Sequence, residues 1–252
     1  EYFSNIRPID LYYDVNVKGA ENICKIAKEK NIKNIIFTSS CAVYGSTNTA
    51  TDEDGEIKPF NDYGKSKFLA EKIYQKWQEE APDERTLTII RPTVVFGKKN
   101  RGNVFNMLNQ INKNKFVMIG KGDNCKSMAY VENVASFIYY CSKFSVGNHL
   151  YNYVDKPDYS MNELYSFCAN IMQKNNTRFR LPFILGLSIG FVFDFLSFLI
   201  RKDLILSSVR VRKFCSDTVF LSSVESTGFK APKSIRKGLE IMILHDFMSE
   251  DV

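Results

Sequence analysis

A tyrosine and a lysine placed four residues apart, Tyr63 and Lys67, could together move a proton. Residues four apart in an α-helix lie one turn along the same face, so the lysine ammonium can stand beside the phenol. An unperturbed phenol has a pKa of about 10 and is a poor base near neutral pH. A neighbouring positive charge favours the phenolate and lowers that pKa. The spacing therefore indicates an acid/base tyrosine assisted by a lysine.

A hydroxyl-rich segment, Thr38-Ser39-Ser40, precedes this pair. It follows the apolar run Ile35-Ile36-Phe37, which is typical of a buried parallel strand with a functional loop at its carboxyl end. From that position the Ser40 hydroxyl could orient the same substrate oxygen that the phenol serves. A Tyr and Lys at helical spacing also occur by chance on exposed helices, so the serine-rich strand end and the following Val43-Tyr44-Gly45 carry much of the argument.

The elements around these residues alternate between helix and strand. Periodicity predicts helices over 10–30 and 62–80, and apolar runs predict strands over 33–40 and 86–92. This alternation is typical of an α/β fold with a doubly wound parallel sheet, whose ligands bind beyond the carboxyl ends of the strands. Ser40 and Thr93 stand at two such ends.

Beyond Phe96 we expect a helix around 104–111, a short strand at 116–120, a loop at 121–127, a helix over 129–143 and a strand near 149–155. The remainder, from Ser160, is predicted to be mainly helical with short extended pieces. One stretch within it, Phe183–Ile200, approaches the length of a membrane span but contains Asp194 and two glycines. A buried or membrane-associated helix is favoured over a spanning one, and peripheral membrane proximity is a hypothesis.

Composition excludes several classes of protein. The chain has 252 residues, 44% of them hydrophobic, and a formal net charge of +6 with acidic and basic residues interleaved. No basic tract or zinc-finger spacing indicates nucleic-acid binding. Six cysteines occur without a CxxC pair, which predicts no metal site and fits a reducing cytoplasm. No GxSxG or GxxxxGK[ST] motif supports hydrolase or phosphoryl-transfer chemistry.

Five blocks of the chain, in order, resemble the extended short-chain dehydrogenase/reductase family. They are VNVKGAENI, FTSSCAVYG, YGKSK, RPTVVFG and GKGDNCKSMAYVENVA, and TGFKAPKSIRKGLE resembles the family's C-terminal end. The likeness is to the NAD-dependent epimerase/dehydratase branch, in particular to UDP-glucose and UDP-N-acetylglucosamine 4-epimerases. It implies a Rossmann-like sheet with a smaller, mostly helical substrate domain. The glycine-rich loop of that fold is absent from this sequence, so we expect an N-terminal truncation.

The resemblance implies NAD as cofactor, with NADP possible, a UDP-sugar as substrate and a homodimer formed through helices like those at 11–30 and 62–80. It places residues 1–95 and 131–157 in the NAD-binding domain, and 96–130 and 158–252 in the substrate domain. The implied catalytic residues are Ser40, Tyr63 and Lys67. The implied cofactor contacts are Thr38, Ser39, Tyr63, Lys67, Arg91 and Pro92. The implied substrate contacts are Ser40, Cys41, Ala42, Thr93, Asn103, Val104, Lys126 and Arg210. Tyr44 either lines the nicotinamide pocket or packs the loop.

Departures from the family pattern narrow the reaction. Dehydratases of this branch have Thr-Asp-Glu where this chain has Ser40-Cys41-Ala42, which disfavours dehydration. Lys126 stands where an arginine is common, so a diphosphate would lose a bidentate contact there. The preferred function is 4-epimerisation of a UDP-hexose or UDP-N-acetylhexosamine through a 4-keto intermediate. A 4-ketoreductase, a hydroxysteroid-type dehydrogenase and a non-catalytic cofactor-sensing or partner-binding relative remain alternatives.

Overall fold

The computed structural model describes residues 8–46, 49–174, 179–200 and 207–248, apart from the side chain of residue 198. The strands within these ranges are β1 Asn34–Thr38, β2 Thr86–Pro92, β3 Val94–Phe96, β4 Val117–Ile119, β5 Cys125–Tyr130, β6 Gly147–Tyr153, β7 Asp155–Ser160 and β8 Phe179–Leu181. The α-helices are α1 Asp10–Tyr13, α2 Gly19–Glu29, α3 Asp62–Glu79, α4 Asn103–Asn112, α5 Val131–Cys141, α6 Met161–Ile171, α7 Phe183–Ile200, α8 Ser208–Cys215 and α9 Ile235–Ile243. Short 3₁₀ turns cover Cys41–Tyr44 and Val224–Thr227, and π-helical turns cover Asp14–Lys18 and Leu244–Met248.

The chain divides into two compact units. The first holds the described residues of Glu1–Gly97, Ser127–Lys156 and Phe220–Ile235, and the second holds those of Lys98–Lys126, Pro157–Val219 and Arg236–Val252. This division differs from the predicted boundaries chiefly at 220–235. That segment belongs to the first unit because Phe220 forms a parallel β-bridge with Thr51, and the Leu221 amide donates to the Thr51 carbonyl.

A parallel sheet of order β1-β2-β6 forms the centre of the first unit. Its register pairs Thr38 with Ile90 and Ile90 with Tyr151, so the three strands end at a common edge. Strand β2 is buried along its whole length, as a strand covered on both faces requires. The predicted α/β fold with a Rossmann-like sheet is confirmed. Strands β1 and β2 lie where the apolar runs placed them, and β6 begins two residues before the strand predicted near 149–155.

Both faces of this sheet carry a packed core. On one face, α2 and α3 contribute small and aromatic side chains against Leu87 and Ile89, namely Ala20, Cys24, Ala27, Ala70, Tyr74 and Trp77. On the other face, α5 packs Phe137 and Cys141 around Ile90 and Tyr153. Burial of apolar area on this scale stabilises the sheet and fixes α3 against β1. Helix α3 therefore has one defined rotation, which decides where Tyr63 and Lys67 lie.

Three strands differ from the sequence prediction, and one of them, β3, was not predicted at all. Strand β5 covers Cys125–Tyr130, of which 125–127 were expected in a loop and 129–130 in a helix, and β7 was not foreseen. Glycines and an aspartate just before Cys125 are typical of a loop, and Pro157 within β7 disfavours a strand. Tertiary pairing overrides both local signals, because β3, β5 and β7 form a second sheet in that order.

The second unit is mainly helical, with a two-stranded parallel sheet of β4 and β8. Helix α6 begins with a reciprocal capping box in which the Ser160 side chain accepts from the Glu163 amide and Glu163 reaches back to the Ser160 amide. Within the described ranges, none of the helices combines the length and the apolar character that crossing a membrane requires.

Candidate active site

The 3₁₀ turn Cys41–Tyr44 places Ser40 at the carboxyl end of β1. The Ser40 hydroxyl caps this turn by accepting from the Ala42 amide at 3.1 Å, and its side chain is buried. Helix α3 begins directly beside the turn, since a Cβ added at Gly64 would lie 2.5 Å from the Ala42 carbonyl oxygen. A larger residue than glycine would push the start of α3 away. This close approach brings Tyr63 to Ser40.

Tyr63 is half-buried and its phenol oxygen is hydrogen-bonded to the Ser40 side chain. Its ring packs edge-on against Tyr12, with the ring centroids 5.8 Å apart. The backbone at Tyr63 is held by Ser66, whose hydroxyl donates to the Tyr63 carbonyl and accepts from the Asn16 amide group, each at 2.9 Å. Tyr63 thus has a fixed backbone, a packed ring and a hydroxyl aimed at Ser40.

Lys67 lies one turn further along α3 and is anchored to the end of β1. Its ammonium donates to the Thr38 carbonyl at 3.1 Å and lies 5.0 Å from the centre of the Phe37 ring. Burial lowers the pKa of Lys67 from its ordinary value, and the negative charge of Glu71 partly opposes that effect. The predicted grouping of Ser40, Tyr63 and Lys67 at one strand end is what the structure shows.

The pKa of Tyr63 differs from the expectation. Burial raises it above its ordinary value, the hydrogen bond from Ser40 lowers it, and Tyr12 raises it further. The contact that lowers the Tyr63 pKa comes from Ser40 and not from Lys67, because the Lys67 ammonium is directed to the Thr38 carbonyl. The expectation that Lys67 makes the phenol acidic is therefore not met in this structure, in which the net shift is upward.

A buried ion pair behind these residues corrects the role expected for Arg91. The Arg91 guanidinium grips Glu71 at two points, Nε to Oε1 at 2.9 Å and Nη2 to Oε2 at 2.6 Å. Its Nη1 donates to the Tyr44 hydroxyl at 2.7 Å, and that hydroxyl donates to Asn152 Oδ1 at 2.7 Å. All four side chains are buried. Because the guanidinium is committed to protein partners, Arg91 supports the site from behind instead of contacting a cofactor.

The same network gives Tyr44 a packing role and includes two residues, Glu71 and Asn152, that no sequence pattern indicated. Tyr44 packs the loop, with its ring 5.9 Å from that of Phe220. Glu71 was missed, although it is an acidic residue one turn after Lys67 on the buried face of α3, and such a position in a helix signals a buried partner. Asn152 was missed because a polar residue at a strand end has no distinctive spacing.

Among the other residues predicted to contact a ligand, some have side chains that are hydrogen-bonded to protein groups and one does not. The Ser39 hydroxyl donates to Glu71, and the Cys41 thiol donates to the Arg91 carbonyl, so both side chains face inward. Burial raises the pKa of the Cys41 thiol well above its ordinary value, which makes it inert. Thr93 is different. Its Oγ1 atom is buried and has no hydrogen-bond partner among the described residues. Ala42 is half-buried in the capped turn, and Pro92 closes β2.

The residues of the second unit that were predicted to contact substrate differ in burial and in hydrogen bonding. Asn103 is the first residue of α4. The adjacent Val104 is buried, whereas a contact with substrate was expected for it. The Lys126 ammonium donates to the Lys213 and Ser216 carbonyls at 3.0 and 2.6 Å, and burial lowers its pKa to about 8. The lysine thus joins β5 to the end of α8. Arg210 is exposed on α8.

Comparisons with known proteins identify the family. Residues 2–153 match the family described as "NAD dependent epimerase/dehydratase family". The chain belongs to this family. It is 47% identical over 250 residues to an Escherichia coli O157:H7 protein named N-acetyl-alpha-D-glucosaminyl-diphospho-ditrans,octacis-undecaprenol 4-epimerase, covering 98% of this chain and 76% of that protein. It is 28% identical over 181 residues to a UDP-glucose 4-epimerase of Vibrio cholerae, covering 69% of this chain and 54% of that protein.

Solved structures of the family share the fold. A UDP-glucuronic acid 4-epimerase from Bacillus cereus, in complex with NAD, superposes with a TM-score of 0.71 at 18% identity, over 96% of this chain and 70% of that one. A UDP-N-acetylglucosamine 4-epimerase from Methanobrevibacter ruminantium M1 gives 0.69 at 17% identity, over 95% and 71%. The predicted family, fold, enzyme class and NAD dependence of this epimerase-family chain are confirmed.

The residues present fit the nicotinamide half of NAD. A lysine ammonium at the end of a parallel strand and a buried threonine hydroxyl with no hydrogen-bond partner in the described part of the chain are donors suited to a ribose or carboxamide group. Lys67 and Tyr63 would hold the nicotinamide half, with the Thr38 backbone fixing the lysine. In the epimerase family, the cofactor supplies the hydride acceptor and donor that side chains cannot provide.

Proposed function

We propose that this protein epimerises carbon 4 of an N-acetylhexosamine linked through a diphosphate to a polyprenyl lipid. The observation that carries the proposal is the 47% identity, across 98% of the chain, to a relative named as a 4-epimerase of such a substrate. The 250 matched residues of this chain cover 98% of it, and its own Ser40, Tyr63 and Lys67 have a geometry that suits proton transfer at a sugar hydroxyl. The proposal replaces the UDP carrier expected from the sequence with a lipid carrier and keeps the reaction.

In this proposal Tyr63 is the acid and base. Its phenol oxygen takes the proton of the C4 hydroxyl as that carbon is oxidised, and returns it when the 4-keto sugar is reduced on its other face. Ser40 donates to the phenol oxygen and so favours the form that accepts a proton. Lys67 holds its ammonium at the strand end, where it would bind ribose hydroxyls. The buried Glu71–Arg91 pair keeps the β1 and β2 ends and α3 in register.

A UDP-linked hexose is the second candidate substrate. The Vibrio cholerae relative is named a UDP-glucose 4-epimerase, and the solved structures of the same fold include epimerases named for UDP-sugars. The reacting C4 hydroxyl is common to both candidates, which differ in the sugar that carries it and in the group beyond the diphosphate. Both candidates therefore use the same proton transfer by Tyr63, and they differ in the carrier group that binds far from the reacting carbon.

A substrate panel tests the proposal. Full-length protein with catalytic NAD and no added reductant is given polyprenyl-diphosphate-linked N-acetylglucosamine, UDP-N-acetylglucosamine and UDP-glucose, and the epimeric products are quantified by chromatography. We expect conversion of the lipid-linked sugar to exceed that of the UDP-sugars at least tenfold in kcat/KM. Consumption of one equivalent of NADH or NADPH per turnover, with no epimer formed, would instead establish a ketoreductase.

We also propose that the protein forms a homodimer and is located in the cytoplasm. Large apolar side chains stand exposed on the helical segment before β1, among them Val15, Ile23 and Ile26, and Leu69 is exposed on α3. Such a patch on two adjacent helices is suited to pairing with a second copy. All six cysteines are free thiols, as a reducing compartment would keep them.

A further inference from the structure

Helix α7 exposes most of its described large apolar side chains instead of burying them. Ile184 is 75% exposed, Phe195 62% and Leu199 58%. Helices of water-soluble domains turn such residues towards a core and present polar ones to water. On α7 an exposed surface of this kind extends over its whole 18 residues, about 27 Å at 1.5 Å per residue.

The face of α7 that packs on the protein is made of its smallest and most polar residues. Gly186 and Gly190 are buried, and a Cβ at Gly190 would lie 2.7 Å from Ser208 Cα. Four residues further along, Asp194 accepts from the Ser208 amide at 3.1 Å. Residues 186, 190 and 194 form one stripe at helical spacing, and Ile184 and Phe195 lie opposite it. The helix is thus inverted, with Gly186 and Gly190 inward and exposed aromatic side chains such as Phe191 and Phe195 outward.

Basic residues flank this apolar surface. Helix α8, which packs against α7 through Ser208, exposes Arg210, Arg212 and Lys213, and the Arg212 guanidinium lies 6.0 Å from the centre of the Phe191 ring. In the sequence from 179 to 215, basic residues outnumber acidic ones by six to two: Arg180, Arg201, Lys202, Arg210, Arg212 and Lys213 against Asp194 and Asp203. An apolar helix bordered by long basic side chains is complementary to a bilayer surface, where the stems lie in the interface and the charges meet phosphate groups.

We infer that α7 is a membrane-docking helix that lies in the surface of an anionic lipid bilayer. Its outer face enters the boundary between headgroups and acyl chains, while Gly186, Gly190 and Asp194 keep it fastened to β4 and α8. The phosphate groups of anionic lipids pair with the basic side chains of α8. The link to catalysis rests on the proposed function: a polyprenyl-linked sugar resides in a membrane, so docking delivers the enzyme to its substrate.

Vesicle flotation of the full-length protein tests the docking. The probe is a vesicle of phosphatidylglycerol and phosphatidylcholine, with pure phosphatidylcholine for comparison. The variant changes three residues of the outer face and leaves the glycine stripe intact: Ile184→Ser, Phe195→Ser and Leu199→Ser. The matched control changes three exposed apolar residues of the first unit: Tyr139→Ser, Val146→Ser and Leu221→Ser. Circular dichroism and thermal melting verify that both proteins fold.

The unchanged protein and the control are expected to float with the anionic vesicles, and the α7 variant to bind them at least about tenfold less, because three large apolar side chains no longer enter the interface. Binding to pure phosphatidylcholine is expected to be weaker, and binding to anionic vesicles is expected to fall as salt is raised. Equal flotation of the α7 variant and the unchanged protein overturns the inference, as does failure of the unchanged protein to bind anionic vesicles.

Two further readouts separate the competing outcomes. Sedimentation of the α7 variant that shows loss of a dimer, with vesicle binding unchanged, would assign the face to a second copy and overturn membrane docking. A turnover assay with a water-soluble, short-chain diphosphate-linked N-acetylglucosamine is expected to give the same rate for variant and unchanged protein. Absence of turnover in both would contradict the proposed function and leave the flotation result to stand by itself.

Discussion

The guanidinium of Arg91 and the carboxylate of Glu71 form a two-point ion pair, with N–O distances of 2.9 and 2.6 Å, in the interior of the first unit. The pair joins the carboxyl end of β2 to the middle of α3, and Ser39 at the end of β1 donates to the same carboxylate. Because Lys67 lies one turn before Glu71, this interaction fixes the helix that carries the catalytic side chains.

Substitution Glu71→Gln is expected to destabilise the protein by about 3–5 kcal/mol, because it leaves a buried guanidinium without a countercharge. Chemical denaturation of the purified protein measures the loss. The control is Glu240→Gln, which removes the exposed partner of Lys237 on α9 and should change the free energy of unfolding by less than about 1 kcal/mol. Equal effects of the two substitutions would contradict the assigned importance of the buried pair.

Substitution Gly64→Ala is expected to reduce activity and stability together. The added methyl group would meet the Ala42 carbonyl at 2.5 Å, so the start of α3 must move and carry Tyr63 away from Ser40. We expect a loss of about 1–3 kcal/mol in unfolding free energy from this overpacking. Gly19→Ala is the matched control, since nothing lies within 4 Å of its added Cβ. It should leave turnover unchanged and stabilise α2 slightly.

The pKa of Tyr63 in the protein without cofactor is expected to lie above its ordinary value of 10.0, because burial disfavours the phenolate. The phenol then stays protonated to higher pH, and phenolate-dependent turnover should rise as pH increases. Substitution Ser40→Ala removes a hydrogen bond that lowers the pKa, so it should shift the titration of Tyr63 upward. Carbon-13 NMR of labelled tyrosines, with Tyr63→Phe to assign the signal, measures both values. A titration of Tyr63 below pH 9 would contradict the reasoning.

The proposed dimer predicts that charge on the exposed face of α2 separates the subunits. The double substitution Ile23→Asp and Ile26→Asp places carboxylates where apolar side chains would be buried between copies. Sedimentation velocity should show a dimer for the unchanged protein and a monomer for the variant, while Tyr139→Asp, on α5, should remain dimeric. A monomeric unchanged protein at micromolar concentration would remove the proposal.

The parts of this structure that follow from sequence are those governed by local patterns. The apolar runs at 35–37 and 87–90 gave β1 and β2, and the four-residue spacing of Tyr63 and Lys67 gave their common helical face. The inward partners could not be predicted, because Glu71 meets Arg91 only after α3 packs across the sheet. For the same reason, β7 was missed and Arg91 was assigned to the cofactor.

The inversion of α7 shows a similar limit. The sequence Phe183–Ile200 predicted a buried or membrane-associated helix, since periodicity alone does not reveal which side chains a helix turns outward. Only the packing of Gly190 against Ser208 shows that Phe191 and Phe195 face away from the protein core. A helix with apolar residues on every side thus gains its orientation from tertiary contacts.

The measurement that tests the central claim most directly is the turnover of Tyr63→Phe with the lipid-linked N-acetylhexosamine. The substitution removes one hydroxyl, and with it the only group assigned to exchange the proton of the C4 oxygen. We predict that kcat falls by about 10²–10⁴-fold, as loss of a general acid/base does, while Tyr74→Phe on the same helix retains the parental kcat. A Tyr63→Phe protein that epimerises the sugar at the rate of the unchanged enzyme would contradict the account.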